Sequence, residues 1–192
     1  MKSKLNFFLL IIVCLLLISL PALALTSLNG YLWDKTSITC YLDPSIQNNF
    51  GSTIKSRVQS GISSYQGYGG PSINYVASYI GVNILVEAED YGYTGWDGHC
   101  RYTSLGGAYL IGASIALNGN SFMDTYSTYP GVFQALACHE MGHAVGLGHN
   151  ETSGESSIMK PYTTQFYQVG TSGPKLISPQ APDRTAYLSL YQ

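Results

Sequence analysis

The chain is short of charge. Only 10% of its 192 residues are Asp, Glu, Lys or Arg. No basic run occurs anywhere, which argues against nucleic acid as a partner, because phosphate binding needs clustered Lys and Arg. Histidine is scarcer still, with four in all. No internal repeat and no long linker is seen, so an array or a multidomain protein is not expected. One long apolar run exists, Phe7 to Leu20, and it is shorter than the roughly 20 residues a spanning helix prefers.

That run follows the basic start Met1-Lys2-Ser3-Lys4 and precedes Pro21 and the small-x-small pattern Ala22-Leu23-Ala24. The order is that of an export signal. Residues 1–24 are therefore expected to be a signal peptide, with an uncleaved N-terminal anchor as the alternative. The remaining residues 25–192 form one domain of ordinary size. With Lys2 and Lys4 gone, 9 − 2 = 7 basic residues face 11 acidic ones, a formal charge of −4. Secretion, no stable membrane insertion after signal cleavage, and a monomer are expected. Cys14 leaves with the signal, so Cys40, Cys100 and Cys138 remain. An exported chain permits disulfides. Three pairings are open; Cys40–Cys100 is the favoured one, with Cys138 a buried free thiol on a helix.

What is present reads as α+β. Ser37 to Tyr41, Ile73 to Tyr79, Val82 to Ala88 and Tyr109 to Leu117 are rich in strand formers. Ile54, Val58 and Ile62 recur every four residues, marking a helix within 46–65. Glu89 to Gly107 holds five glycines and reads as loop. A helix follows Pro130 and runs from Val132 to Val145. Thr152 to Gly173 reads as irregular, and Ala181 to Tyr191 as a last helix.

The second helix carries the histidines. The segment reads His139-Glu140-Met141-Gly142-His143-Ala144-Val145-Gly146-Leu147-Gly148-His149. His139 and His143 are one helical turn apart, so both imidazoles share a face and can grip one ion. Gly146 lets the helix stop and the chain turn, which returns His149 as a third ligand. Three nitrogen ligands with a fourth position left to water describe a catalytic zinc site. Glu140 is placed beside the ion rather than on it, as a general base requires. Chance would produce this spacing in a chain of this composition on the order of five times in a million, so the pattern carries weight.

This extended motif resembles the metzincin clan of zinc peptidases. Ser157-Ile158-Met159, ten residues after His149, is similar to the methionine turn that underlies the metal in that clan. Within it the chain looks closest to the matrixin group. Trp33 ahead of the Ile38-to-Tyr41 strand resembles that group's opening, and Pro182-Asp183 leading to Leu188-Ser189-Leu190-Tyr191 resembles its closing helix. Pro161 and Tyr162 resemble the wall of the pocket for the residue after the cleaved bond. The motifs are specific from Ala135 to Tyr162; elsewhere the likeness is one of pattern.

The resemblance implies a twisted, mixed sheet with one antiparallel edge strand, an active-site helix and a C-terminal helix. The edge strand is expected at Ala113 to Asn118, where an extended substrate would pair by strand addition. It implies a secreted zinc endopeptidase with a protein or peptide substrate, Glu140 as base, His139, His143 and His149 on zinc, and Met159, Pro161 and Tyr162 about the pocket. Tyr162 is read first as a pocket residue and second as a transition-state donor.

The chain also departs from the group. No cysteine-switch segment is read. A second, structural zinc is not expected, because His99 alone lies outside the motif, and His99 itself is read as a loop or surface histidine. Calcium has candidate ligands in Glu87, Glu89, Asp90 and Asp97, but a solvated acidic loop is the better reading. A zinc-stabilised extracellular binding or adhesion module without turnover is the alternative function, motivated by sixteen tyrosines. Hydrolysis of a non-protein amide is a third.

Overall fold

The computed structural model describes residues 29–107, 109–122 and 125–192. The expected signal peptide lies outside the described residues. Strand β1 (Ser37–Leu42) ends at Asp43, whose carboxylate accepts the Ser45 N–H at 2.8 Å. With Pro44 fixing the first helical φ, this starts helix α1 (Pro44–Ile62). Gly51, at φ +85°, breaks α1 into two stretches. Strands β2 (Ser72–Tyr75) and β3 (Ile84–Glu89) follow, then β4 (Gly98–Gly106) and β5 (Tyr109–Asn118). Helix α2 (Gly131–Ala144) bears the first two histidines of the motif. A single turn, α3 (Thr163–Phe166), interrupts the segment read as irregular, and α4 (Ala181–Tyr191) closes the fold.

The sheet order is β2-β1-β3-β5-β4. All neighbours run parallel except β4, which lies antiparallel to β5 at one edge. This is the expected mixed α+β architecture with one antiparallel edge strand. Ile38 and Cys40 of β1, Ile84, Val86 and Ala88 of β3, and Ile115 and Leu117 of β5 turn inward. Alternation of this kind is what one packed sheet face requires. They share a core with Ile54, Val58 and Ile62 of α1 and Phe133 and Leu136 of α2. The two helices pack on each other as well as on the sheet.

Two expectations are corrected here. The edge strand is not Ala113 to Asn118. Those residues belong to β5, paired on both sides by β3 and β4. The edge is β4, inside the stretch read as loop. Its glycines masked a strand whose Cys100 and Tyr102 pack against the core.

The second correction concerns the cysteines. Cys40, Cys100 and Cys138 are all free thiols. Cys40 sits on β1 and Cys100 on β4, three strand spacings apart in the sheet order. At about 4.8 Å per spacing that is about 14 Å, twice the Cα reach of a disulfide. Burial pushes the Cys40 and Cys138 thiols up to about 12 and raises Cys100 too, so none is readily ionised. We therefore expect a reductant to shift the melting temperature by less than about 1 °C, against the several degrees a lost disulfide costs. Thermal melts with and without a thiol reductant check this.

Candidate metal centre

Helix α2 ends where the motif needs it to. Gly146 takes φ +104°, a backbone conformation costly for any residue with a Cβ. Its N–H donates to the His143 carbonyl at 3.0 Å, and the Leu147 N–H donates to the Gly142 carbonyl at 2.9 Å. This pair of bonds is the Schellman closure of a helix. The chain reverses direction and brings His149 back to the helix.

The last carbonyls of α2 are satisfied by side chains from distant segments. The His143 carbonyl accepts from Asn29 and from the Tyr102 hydroxyl, both at 3.1 Å. The Ala144 carbonyl accepts the Trp33 indole N–H at 2.8 Å, and the Val145 carbonyl accepts the Tyr191 hydroxyl at 3.0 Å. Exposed helix ends leave such groups to water; here they fasten the motif to both ends of the domain.

The three imidazoles converge. Nε2 of His143 lies 3.2 Å from Nε2 of His139 and 3.2 Å from Nε2 of His149. Nδ1 of His139 donates to the Ile158 carbonyl at 2.8 Å, and Nδ1 of His143 donates to the Leu147 carbonyl at 2.8 Å. A carbonyl cannot donate, so each Nδ1 carries the proton in the neutral ring. Each Nε2 then presents a lone pair toward its neighbours. Facing lone pairs at this distance repel unless a cation lies between them. A tetrahedral ion with bonds of about 2.05 Å separates its ligand atoms by about 3.3 Å, and the observed spacing matches. Burial first, then the charge of neighbouring histidines, holds His139 down at about 3. Burial holds His143 down at about 4 and lowers His149. All three are thus poised as neutral ligands.

Supporting contacts orient this set. The Phe166 ring stacks on His139 at 5.0 Å and 13°. Met159, wholly buried, lies beneath α2 at Gly142, where a Cβ would come within 2.3 Å of its Sδ. Only glycine admits the methionine so close between the two ligands. Asp183, on α4, accepts from the Ser157 hydroxyl, from the Ile158 N–H at 3.0 Å and from the Gln180 N–H at 2.8 Å. A continuous path therefore runs from Asp183 through the backbone of Ile158 to the ring of His139.

The site opens into a cleft of about 530 Å³. One wall is the Gly95-to-Cys100 stretch, entering β4; the other is Pro161 to Thr164 with Phe166. Pro161 and Tyr162 are thus in the cleft, with Tyr162 on its exposed rim at 69%. Glu140 lines the same cleft yet is only 3% exposed. Burial, then the Asp97 carboxylate, pushes it up to about 8. His99, read from sequence as a loop or surface histidine, also lines the cleft and meets Trp96 edge-on at 4.4 Å. Burial, then the Arg101 charge, lowers its pKa.

Gly98 carried no sequence signal, and Asp97 was read only as a candidate calcium ligand in an acidic loop. A Cβ on Gly98 would sit 2.7 Å from Oε1 of Glu140, so the wall presses directly on the carboxylate.

The acidic residues considered for calcium do not converge. Glu87 accepts from the Tyr91 hydroxyl at 2.9 Å, and Asp90 accepts the Gly92 N–H at 2.9 Å. Among the described residues, His139, His143 and His149 are the one group of three or more His, Cys, Asp or Glu whose ligand atoms gather, all within 4.8 Å. Among the described residues, too, no helix is long and apolar enough to cross a membrane.

No protein-family model matches the chain, and no curated protein matches it. The geometry therefore stands on its own: three histidines able to hold one metal ion, set on a mixed sheet that fits a metzincin-like zinc site.

Proposed function

We propose that residues 25–192 are a secreted zinc-dependent endopeptidase of metzincin type, closest to the matrixins, exported by a signal cut after Ala24. The observation that carries this reading is the convergence of three Nε2 atoms beside a buried carboxylate in an open cleft. A structural zinc is normally closed by four protein ligands and needs no base. When bound, zinc would polarise a substrate carbonyl and acidify water at the open position.

The chain's own residues do the rest. Glu140 takes the proton of the attacking water on its carboxylate and returns it to the leaving amine nitrogen. Its burial keeps competing water away and raises its basicity to suit the task. A peptide is held extended along β4, whose outer edge pairs with no other strand among the described residues, and is gripped from the facing wall by Pro161 to Thr164. Leu136, His139 and Phe166 bound the cleft beside Pro161, the place for the side chain after the cleaved bond. Tyr162, on the rim, is a pocket residue first and a donor to the transition state second.

Incubating the zinc-loaded protein with a proteome-derived peptide library, with and without a chelator, tests this reading. Cleavage that the chelator stops and zinc restores is expected. A protein that binds one zinc and cuts nothing would instead be a binding or adhesion module; one that cuts only non-peptide amides would be a different hydrolase.

Gly98→Ala gives a sharper check. The new methyl must displace the Glu140 carboxylate, and a misplacement near 1 Å costs about a hundredfold in rate. We expect kcat to fall by at least about tenfold with zinc content unchanged. Steady-state kinetics beside metal analysis measures both.

A further inference from the structure

The 90–97 segment joins β3 to β4 and supplies Gly95, Trp96 and Asp97 to the cleft wall. One buried side chain organises it. Asn118, the last residue of β5, is 1% exposed. Its Oδ1 accepts the Tyr91 N–H at 3.1 Å and the Asn120 N–H at 3.0 Å. Two N–H donors identify that atom as the oxygen and fix the amide's orientation. Its Nδ2 faces the Gly92 carbonyl at 3.0 Å, the Thr94 hydroxyl at 2.8 Å and the Trp96 carbonyl at 3.2 Å. The backbone extends the grip, since the Asn118 N–H donates to the Asp97 carbonyl at 2.7 Å and the Gly119 N–H to the Glu89 carbonyl at 2.7 Å.

An amide nitrogen has two hydrogens, yet three oxygens converge on this one. Oxygens gathered round a single positive centre are the usual surroundings of a hard cation. Here the centre is a neutral NH₂ supplied by the chain. The segment it holds leads straight into Gly98, which abuts Glu140. Asn118 does not itself line the cleft, so its influence on Glu140 passes through the segment.

We propose that Asn118 is a positioning residue: its amide holds the 90–97 segment closed, as a cation would among the same oxygens, and so keeps the cleft wall against Glu140. The kinetic half of this rests on the proposed role of Glu140; the structural half does not.

The test uses the zinc-loaded protein and three variants, Asn118→Ala, Asn118→Asp and Thr94→Val. The two tryptophans separate cleanly, since Trp33 is 1% exposed, so acrylamide quenching reports Trp96 in the segment. Asn118→Ala is expected to raise that quenching about twofold, as local opening would. It should lower kcat about tenfold with KM within about threefold, as a misplaced base would. Thr94→Val should move both in the same direction by less. Asn118→Asp puts a carboxylate among three oxygens; its segment should open in calcium-free buffer and close on adding about 1 mM calcium, with kcat returning to within about threefold of the parent. The parent should not respond to calcium.

Parental quenching in both Asn118→Ala and Thr94→Val overturns the proposal. An Asn118→Asp variant indifferent to calcium overturns the equivalence of amide and cation. Should Asn118→Ala lose its zinc or its circular dichroism, Thr94→Val decides. If the parent cuts no peptide, the peptidase reading falls while the quenching measurements still judge the segment.

Discussion

Glu140→Gln is expected to lower kcat/KM on an unstructured protein substrate by about 10³-fold while leaving one zinc per chain. The change swaps one oxygen for an NH₂ of the same size, so the buried volume is unchanged. His139, His143 and His149 keep their carbonyl partners and their spacing. What is lost is the ability to take a proton. Burial already holds the Glu140 carboxyl up at about 8, so a neutral amide of the same shape costs little there and the variant should melt no lower than the parent. Kinetics, zinc content and a melt on one preparation decide the matter. A variant that cleaves as fast as its parent would sink the proposed mechanism, whatever its metal content.

The second large effect is on stability. Asp183→Ala is expected to cost about 3–5 kcal/mol, because it strands the Ser157 hydroxyl and the Ile158 N–H, both buried acceptor-seeking groups, and unties the start of α4. In a domain of this size that lowers Tm by roughly 10 °C. The same loss loosens the Ile158 carbonyl that orients His139, so zinc affinity should drop by about 10- to 100-fold. Asp183→Asn, which keeps acceptor oxygen but not charge, should fall between the two. Differential scanning calorimetry and competition with a chromophoric chelator give the two numbers. A full-length Asp183→Ala protein with parental Tm would show that α4 and the methionine turn are not coupled.

Much of this site was legible because it is local. His139 and His143 need only helical periodicity, and the return of His149 needs only a glycine at position 146. The buried faces of β1 and β3 and the bounds of α4 follow from alternation and from Pro182. Elsewhere the partners are remote, and local pattern says nothing of them. The cysteine pairing was inferred from compartment, whereas sheet order keeps Cys40 and Cys100 apart. Strand β4 was hidden by glycines whose purpose appears only when Gly98 meets Glu140. Asn118 reads as a simple strand end before Gly119; apart from Asn120, the residues its side-chain amide binds lie 22 to 27 positions upstream. His99 looked peripheral until β4 became the cleft wall.

The caps on α2 bear on when the site comes into being. The carbonyls of His143, Ala144 and the capping Val145 are held from Asn29, Trp33 and Tyr102 on one side of the chain and from Tyr191 on the other. Asp183 arrives with Tyr191 on the same helix. A chain emerging N-terminus first can display His139, Glu140, His143 and His149 well before α4 docks, but their carbonyl supports are incomplete until it does. Tight metal binding is thus expected only once α4 has docked, and a copy clipped ahead of α4 should lack it. On the proposed reading, order of assembly would itself guard against a hydrolase that works before it is finished.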